Sequence, residues 1–338
     1  MESSQHYDAL LLVSFGGPER PEDVMPFLRR VTAGRDVPEE RLRDVAEHYH
    51  AAGGASPLNA QCRALLECLR TELVAAGLPL ALYWGNRNWH PLLEDTLVRM
   101  RDDGVERALA FVTSAYGSHS SCRQYIDDIA RAARAAGPRA PVVEKLRLYY
   151  NHPGWVGPWC SSLERALLGA ARDAAVLFSA HSIPLAMAAA SPYEQQVHET
   201  ARLVAGAVGL RRVVWRVVWQ SRSGGPGTLW LEPDICDAIE DSAATTVVVV
   251  PIGFVSDHME VIWDLDVEAA AVARKKDMRF VRASTVSTDP AFARMAIQLV
   301  QERMERSAAH LASGDLGPWP DTCPTGHCLL PQPSSSRR

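Results

Sequence analysis

The chain alternates between short apolar runs and longer segments in which apolar residues recur with helical spacing. The apolar runs are five to eight residues long, and several are rich in Val, Leu and Ala, which is typical of buried strands. The predicted strands are residues 9–15, 80–84, 107–113, 142–148, 174–180, 212–219, 245–251 and 278–282. Because helical patterns fall between successive strands, the sequence predicts right-handed βαβ crossovers and parallel sheets.

The order of these elements divides the chain into two similar parts. Four strands precede about residue 150 and four follow it, which predicts two similar α/β halves around one cleft. The predicted helices include residues 22–33, 57–76, 92–102, 121–136, 155–175, 192–206, 234–242, 260–275 and 289–306. We assign a first half to residues 1–155, a second half to residues 156–306 and a tail to residues 307–338. The helix from Asp289 is expected to pack back on the first half, and the last ten residues are expected to be disordered.

Composition narrows the class of protein. The 338 residues are 47% hydrophobic and 22% charged, as in globular proteins, and a net charge of −5 argues against a nucleic-acid surface. Residues 1–7 are polar and no apolar run approaches the roughly 18 residues that span a bilayer, so we expect a cytoplasmic protein without a transmembrane segment. Seven widely spaced cysteines do not predict a disulfide framework. Of these, Cys62, Cys68, Cys122 and Cys236 are interpreted as packed or half-exposed thiols.

The segment after the strand at 245–251 carries the most chemistry. Glu260, Asp264 and Glu268 recur four residues apart, so on a helix the three carboxylates share one face. Like charges arranged in this way repel each other unless a cation or a proton lies among them. The segment therefore predicts a path for metal ions or protons, although a solvated helix face would show the same spacing.

A histidine ends another predicted strand. His181 follows residues 174–180, where an imidazole can bind a metal ion, act as a base near neutral pH or be purely structural. In open α/β sheets the chemistry lies outside the carboxyl ends of the strands. We therefore expect His181 to face Glu260 across a cleft, where the two would bind a divalent ion and accept protons from the molecule that receives it.

Motifs along nearly the whole chain occur in the order and spacing of one known family. They are LLLVSFGGPERPEDVMPFL (10–28), GGASPLN (53–59), GNRNWHPLLEDT (85–96), TSAYGSHSSCRQY (113–125), SAHSIP (179–184), YEQQVHETARLVA (193–205), WQSRSG (219–224), WLEPDI (230–235) and GFVSDHMEVIWDLDVEA (253–269). With these motifs the sequence resembles the ferrochelatases. It is most similar to the actinobacterial branch, which inserts iron into coproporphyrin III.

The resemblance implies a coproporphyrin ferrochelatase of haem biosynthesis. Its fold would be two Rossmann-like chelatase domains, with parallel four-stranded sheets around a central cleft. Coproporphyrin III and Fe²⁺ would be its substrates, no nucleotide would be needed, and transient contact with neighbouring haem-pathway enzymes is expected. His181 and Glu260 match the family's catalytic pair, so both would bind Fe²⁺ and His181 would also accept the pyrrole protons. Asp264 and Glu268 would extend the path outward as a relay or entry route.

The resemblance also implies a set of porphyrin contacts. They are Phe15, His48, Tyr49, Ser56, Arg123 and Tyr125. Ser56 would hold a propionate at a helix start, where a serine also serves as an N-cap, and Arg123 would pair with a propionate unless it is an ordinary surface arginine. Coproporphyrin enzymes of other bacteria often have a tyrosine at the position of Phe15. The phenylalanine ring has no hydroxyl, so it offers the metal no axial oxygen. Three tryptophans are candidate apolar walls, with a core role expected for at least one: Trp219, Trp230 and Trp263.

A metal cluster is the remaining expectation from the family. Actinobacterial members often carry a [2Fe–2S] cluster on one internal cysteine and three near the C-terminus. Here Cys160 is matched to the internal position, and the tail offers Cys323 and Cys328 with His327 where a third cysteine would stand. Such a Cys₃His set could hold a [2Fe–2S] cluster or a zinc ion, and a tail without metal is the third alternative. We expect the cluster.

Two other functions stay open. A protoporphyrin IX ferrochelatase would perform the same chemistry on a less polar ring, but such enzymes tend to have an apolar membrane-facing lip, and residues 117–128 are polar here. A porphyrin- or haem-binding protein without turnover would use Ser56 and Tyr125 but not the metal path. The presence of both His181 and Glu260 argues against it.

Overall fold

Two four-stranded parallel sheets form the framework of the protein in a computed structural model, which describes residues 6–171, 173–210, 214–222, 227–305, 308–324 and 326–329. The strands are β1 Ala9–Ser14, β2 Ala81–Asn86, β3 Arg107–Val112, β4 Val142–Lys145, β5 Ala175–His181, β6 Trp215–Gln220, β7 Thr246–Val250 and β8 Arg279–Arg282. All six residues of β1 and all five of β7 are buried, because helices cover both faces of each sheet. The expected α/β fold with two similar halves is confirmed.

Helices connect the strands and cover the sheets. They are α1 Val24–Val31, α2 Glu39–Ala51, α3 Leu58–Ala75, α4 Leu93–Asp102, α5 Gln124–Ala136, α6 Pro153–Leu167, α7 Leu185–Ala189, α8 Tyr193–Val208, α9 Ile235–Glu240, α10 Met259–Val261, α11 Ala270–Lys275 and α12 Pro290–Met304. Two π-helical segments, His119–Arg123 and Ile262–Ala269, precede α5 and α11. Within the described residues, no helix is both long and apolar enough to cross a membrane.

The two sheets have the same strand order. The first is β2-β1-β3-β4 and the second is β6-β5-β7-β8. In each half the first strand, β1 or β5, has the second strand of that half on one side and the third on the other. In open α/β sheets, ligands bind outside the carboxyl ends of the strands at such a switch of direction. The fold therefore directs a binding site to the ends of β1 and β5.

The last helix joins the two halves. α12 packs against α3 of the first half and α6 of the second. At its surface Arg294 forms an ion pair of 3.3 Å with Glu72 of α3, and Phe292 packs in the core against Trp155 of α6. The predicted helix from Asp289 is present, with Asp289 as its N-cap.

Several predicted bounds differ from the structure. The helix predicted at 155–175 runs from Pro153 to Leu167, because the chain turns at Gly169, whose φ of +71° lies in the left-handed region. Helix α2 was not among the predicted elements. Residues 211–213, 306–307 and 330–338 lie outside the described part of the chain. The predicted start of β6, the predicted end of the last helix and the prediction of disorder for the last ten residues fall wholly or mostly on these residues and stay predictions.

Candidate active site

His181 and Glu260 lie together at the carboxyl ends of β5 and β7. His181 is the last residue of β5, Glu260 is in the first turn of α10, and His181 Nε2 lies 3.9 Å from Glu260 Oε2. The histidine and glutamate side chains are 33% and 49% exposed, so both are open to incoming molecules. The sequence analysis expected the two residues to face each other across a cleft, whereas the structure places them side by side, after two neighbouring strands of one sheet.

Backbone contacts fix the imidazole of His181. Its Nδ1 contacts the carbonyl oxygen of Ser182, which can only accept a hydrogen bond, so Nδ1 carries the hydrogen in the neutral ring. The Tyr193 hydroxyl donates to the His181 carbonyl oxygen at 2.9 Å. Nε2 therefore keeps its lone pair on the side of Glu260, where it can bind a metal ion or take up a proton.

The loop that leads from β7 to Glu260 packs directly against strand β5. Gly253, in the loop after β7, donates its N–H to the Ser179 carbonyl oxygen at 3.0 Å. A Cβ atom on Gly253 would lie 2.6 Å from the Ala180 Cα, so only glycine lets this loop lie against β5. The loop is thereby held beside the strand end that carries His181.

His258 is a site residue that the sequence analysis missed. It is the N-cap of α10, and its Nδ1 accepts the Glu260 backbone N–H at 3.2 Å. Burial lowers the pKa of His258, which favours the neutral imidazole that this cap requires. The signal in the sequence is a histidine two residues before the acid, a spacing suited to an N-cap.

Asp264 lies deeper in the acidic path. Burial raises its pKa to about 7, the hydrogen bond from the Ser221 hydroxyl opposes that shift, and the charges of Glu260 and Glu268 add to it. Ser221 has a φ of +63°, a left-handed conformation that is costly for a residue other than glycine. Near neutral pH, Asp264 can therefore both take up and release a proton.

The remaining carboxylate of the path lies near the rim of the cleft. Glu268 Oε1 accepts a hydrogen bond of 2.9 Å from the Trp263 indole. Trp263 in turn stacks on the His48 imidazole of α2, with ring centroids 4.0 Å apart and planes 7° apart. The first half and the second half thus touch at this edge of the cleft.

The opposite wall is formed by residues of the first half. Gly16 has a φ of +82°, and a Cβ there would lie 2.8 Å from the Asn86 Cβ, so glycine is required beside Phe15. The Phe15 side chain is exposed, whereas Tyr125 and Tyr49 are buried. The Arg87 guanidinium lies over the rings of both Phe15 and Tyr125, at 5.7 and 4.6 Å from their centroids.

Two further residues expected to contact the porphyrin, Ser56 and Arg123, have polar partners within the protein. The N-cap of α3 is Pro57 rather than Ser56, and the hydroxyl of Ser56 accepts the Leu58 N–H at 3.3 Å. Arg123 pairs with Asp127 at 3.2 Å on the surface of the protein. Of the three tryptophans, Trp219 is only 1% exposed and belongs to the core. The roles of Ser56 and Arg123 in binding porphyrin stay predictions.

Cys323 of the tail interacts with Cys122. A hydrogen bond from the Cys122 thiol lowers the pKa of Cys323 to about 5, with smaller effects from groups that include Lys145 and His327. Burial and the charge of Cys323 raise the pKa of Cys328 to about 11. Cys160 lies on α6, and among the described residues no interaction of its thiol with Cys323 is found. Cys122, interpreted above as a packed thiol, therefore also interacts with a cysteine of the tail.

A histidine of the tail, His327, lies close enough to Cys323 to affect its pKa. Nδ1 of His327 is buried without a hydrogen-bond partner, and its ring packs edge-on against Trp319 at 5.8 Å between centroids. Among the described residues, no three His, Cys, Asp or Glu side chains are grouped around one metal position, here or at His181. A [2Fe–2S] cluster divides its protein ligands between two irons, so its four donors need not meet at one point. Three thiols and one unpartnered ring nitrogen suit such a cluster.

Comparisons with known proteins identify the family. A family model described as ferrochelatase matches residues 7–304. A curated ferrochelatase of Rhodopirellula baltica is 48% identical over 96% of this chain and 93% of its own. Coproporphyrin III ferrochelatases of Mycobacteroides abscessus and Nocardia farcinica are each 50% identical, over 91% and 92% of this chain and 92% of each relative.

Solved structures show the same architecture. SirB from Bacillus subtilis, solved with Fe³⁺, has a TM-score of 0.53 and 12% identity, over 91% of this chain and 99% of SirB. CbiX, the terminal enzyme of sirohaem biosynthesis in denitrifying bacteria, has a TM-score of 0.51 and 14% identity, over 87% of this chain and 98% of CbiX. At such identities these structures support the fold alone. With the family match over most of its length, this chain belongs to the ferrochelatase family.

Proposed function

We propose that this protein is a ferrochelatase that inserts Fe²⁺ into coproporphyrin III to give coprohaem. The observation that carries the proposal is the 3.9 Å approach of His181 Nε2 to Glu260 Oε2 at the ends of two neighbouring strands. Several curated relatives, about 50% identical over most of both chains, are named coproporphyrin III ferrochelatases. Anaerobic insertion assays with coproporphyrin III and protoporphyrin IX test the activity and the choice of substrate. Failure to insert iron into either porphyrin would contradict the proposal.

The chemistry requires a base and a metal donor on one face of the porphyrin. A free-base porphyrin holds two N–H protons in its plane, and these must leave before a metal ion can enter. His181 Nε2 has the lone pair to accept a proton, while the Glu260 carboxylate attracts the Fe²⁺ substrate. Two protein donors suit an ion in transit, because water and the pyrrole nitrogens supply the other ligands and no closed cage holds the ion back.

The apolar rings of the first half would hold the flat macrocycle against the metal donors. Phe15 is the exposed ring of that wall and packs edge-on against Phe27 at 6.3 Å between centroids, and Phe27 in turn packs against Tyr49 and Trp89 at 6.1 and 6.2 Å. A rigid wall can keep the porphyrin bent toward its geometry during insertion, using binding energy from groups remote from the metal. The choice of coproporphyrin III over protoporphyrin IX is supported by the polar region at residues 117–128 and the names of the relatives.

Iron insertion is expected to depend on pH through Asp264. Its pKa is raised to about 7, so the carboxyl group is protonated well below that pH and ionised above it. Only the ionised group can take protons from His181, so the rate of insertion should rise as the pH increases through about 7. Anaerobic rates between about pH 5.5 and 8.5 check this, since Asp264→Asn should lower the rate and remove the rise. An unchanged rise in that variant would exclude Asp264 as the relay.

The tail residues would form a second metal centre. We propose that Cys122, Cys323, Cys328 and His327 hold a [2Fe–2S] cluster, in which Cys122 takes the place first assigned to Cys160. When bound, such a cluster supplies a one-electron redox centre. Its protein ligands would tie the tail to the π-helical segment that contains Cys122.

Substitution of one internal cysteine should remove this centre. In Cys122→Ser protein purified without oxygen we expect loss of bound iron, sulfide and the visible absorption of the cluster, because one of four ligands is missing. Cys160→Ser is the matched control and should keep all three. Iron and sulfide analysis with the absorption spectrum decides between them. A cluster that survives in Cys122→Ser and disappears in Cys160→Ser would show that Cys160 is the ligand. Absence of iron and sulfide from the wild-type protein would contradict the proposal of a cluster.

A further inference from the structure

Gln61 joins the first half of the protein to the loop that leads from β7 to Glu260. This glutamine lies in the first turn of α3, and its Oε1 accepts the Asp257 backbone N–H at 2.9 Å. Its Nε2 donates to Asp257 Oδ2 at 3.4 Å, and the Ser287 hydroxyl donates to Oε1 at 3.2 Å. Because both polar atoms of the amide are engaged, the contact fixes the loop in one orientation against α3.

The Asp257 carboxylate is also held from the second half. Arg282, the last residue of β8, donates to Asp257 Oδ1 at 3.0 Å and to the two oxygens of Asp266 at 2.6 and 2.9 Å. The Arg282 side chain is only 17% exposed, so water competes weakly for these charged hydrogen bonds. The segment between the two aspartates, which contains Glu260 and Asp264, is thereby fixed at both of its ends.

The same turn of α3 holds the aromatic wall on the other side of the cleft. Asn59 is buried, and its Oδ1 accepts the N–H of Gly17, two residues after Phe15, at 3.3 Å. Its Nδ2 donates to the His90 carbonyl oxygen at 3.0 Å. Since Asn59 and Gln61 are two residues apart, one helical turn contacts both the wall and the loop. The separation of the wall from Glu260 therefore depends on this turn.

We propose that Gln61 is a positioning residue that sets the place of Glu260 relative to a porphyrin lying against Phe15. The inference rests on the proposed function, because this distance matters for a reaction between an ion at Glu260 and a ring on the wall. Gln61 acts through Asp257, whose neighbour His258 caps the helix of Glu260. A displacement of about 1 Å between reacting partners can lower a rate by about 100-fold.

An exchange of the amide and the carboxylate between the two residues tests the inference. Gln61→Glu places a second carboxylate against that of Asp257, and their repulsion should displace the loop. We expect kcat for iron insertion to fall about tenfold or more, while the KM for coproporphyrin III changes less than about twofold. Asp257→Asn alone should also lower kcat, because two amide N–H groups would then meet.

The double variant Gln61→Glu/Asp257→Asn should restore the contact. Its side-chain hydrogen bond can form again with the donor on the other side, so kcat should return to within about threefold of the wild-type value. Glu72→Gln is the matched control, because it weakens another contact of α3 with the second half, the ion pair with Arg294 of α12. It should change neither kcat nor KM.

Three results would overturn the inference. They are a kcat that is unchanged in Gln61→Glu, a kcat that stays low in the double variant, and a loss that appears in KM rather than in kcat. Hydrogen exchange at the amides of residues 257–266 reports the contact without any turnover, and it should be faster in Gln61→Glu and slow again in the double variant. Unchanged exchange in Gln61→Glu would also contradict the inference. A wild-type protein that inserts iron into neither porphyrin would instead contradict the proposed function, whatever the exchange rates.

Discussion

His181→Ala is expected to reduce iron insertion by roughly 10³-fold while the affinity for porphyrin stays within about twofold. The imidazole provides the only nitrogen in the pair with Glu260, and its Nε2 is kept free because Nδ1 is occupied by the Ser182 carbonyl oxygen. Alanine removes both the proton acceptor and one metal donor. The aromatic wall on the opposite side of the cleft is unchanged, so the porphyrin should still bind.

Rates and affinities together decide this prediction. Insertion is followed anaerobically by the change in porphyrin absorption, and affinity by quenching of porphyrin fluorescence. His198→Ala is the matched control, because this histidine lies exposed on α8 and its ring contacts Trp219 rather than the acidic path. Unchanged turnover in His181→Ala would refute the catalytic assignment. Loss of porphyrin binding together with turnover would instead give His181 a role in holding the substrate or the fold.

The sheets could be predicted because their sequence signal is strong and local. Parallel strands covered on both faces are nearly continuous runs of apolar residues, and β1 and β7 have this form. Helix α2 was missed because its sequence signal is weak. Only Leu42, Ala46 and Tyr49 of its thirteen residues are buried, so its apolar stripe is narrow and its sequence looks like a solvated segment.

The site was predictable only where the sequence itself places residues at strand ends. His181 and Glu260 follow from that position together with the family motifs. The N-cap by His258, the left-handed backbone of Ser221 and the charge environment of Asp264 depend on contacts between segments far apart in sequence. For the cysteines, matching Cys160 to a family position could not show where the tail would lie. The interaction of Cys323 with Cys122 joins two such distant segments.

Glu302→Gln is expected to lower the free energy of unfolding by about 3–5 kcal/mol, as for other broken buried ion pairs. Glu302 of α12 accepts two hydrogen bonds from Arg147, at 2.7 and 3.0 Å, and neither side chain is more than 4% exposed. It also accepts the Leu311 N–H at 2.9 Å, so the same carboxylate holds the beginning of the tail. A neutral glutamine would leave the Arg147 charge buried without a counterion.

Urea denaturation of Glu302→Gln and of a matched control, Glu72→Gln, checks this prediction. The exposed pair between Arg294 and Glu72 joins the same helix to the rest of the protein, and Glu72→Gln should cost about 1 kcal/mol or less. If Glu302→Gln does not fold at all, the double variant Arg147→Met/Glu302→Leu still tests the argument. Removing both charges should recover most of the stability, because apolar residues of similar size avoid the cost of an unpaired buried charge. A loss no larger for Glu302→Gln than for Glu72→Gln would show that water reaches Arg147, and the buried pair would then not be what anchors α12 and the tail.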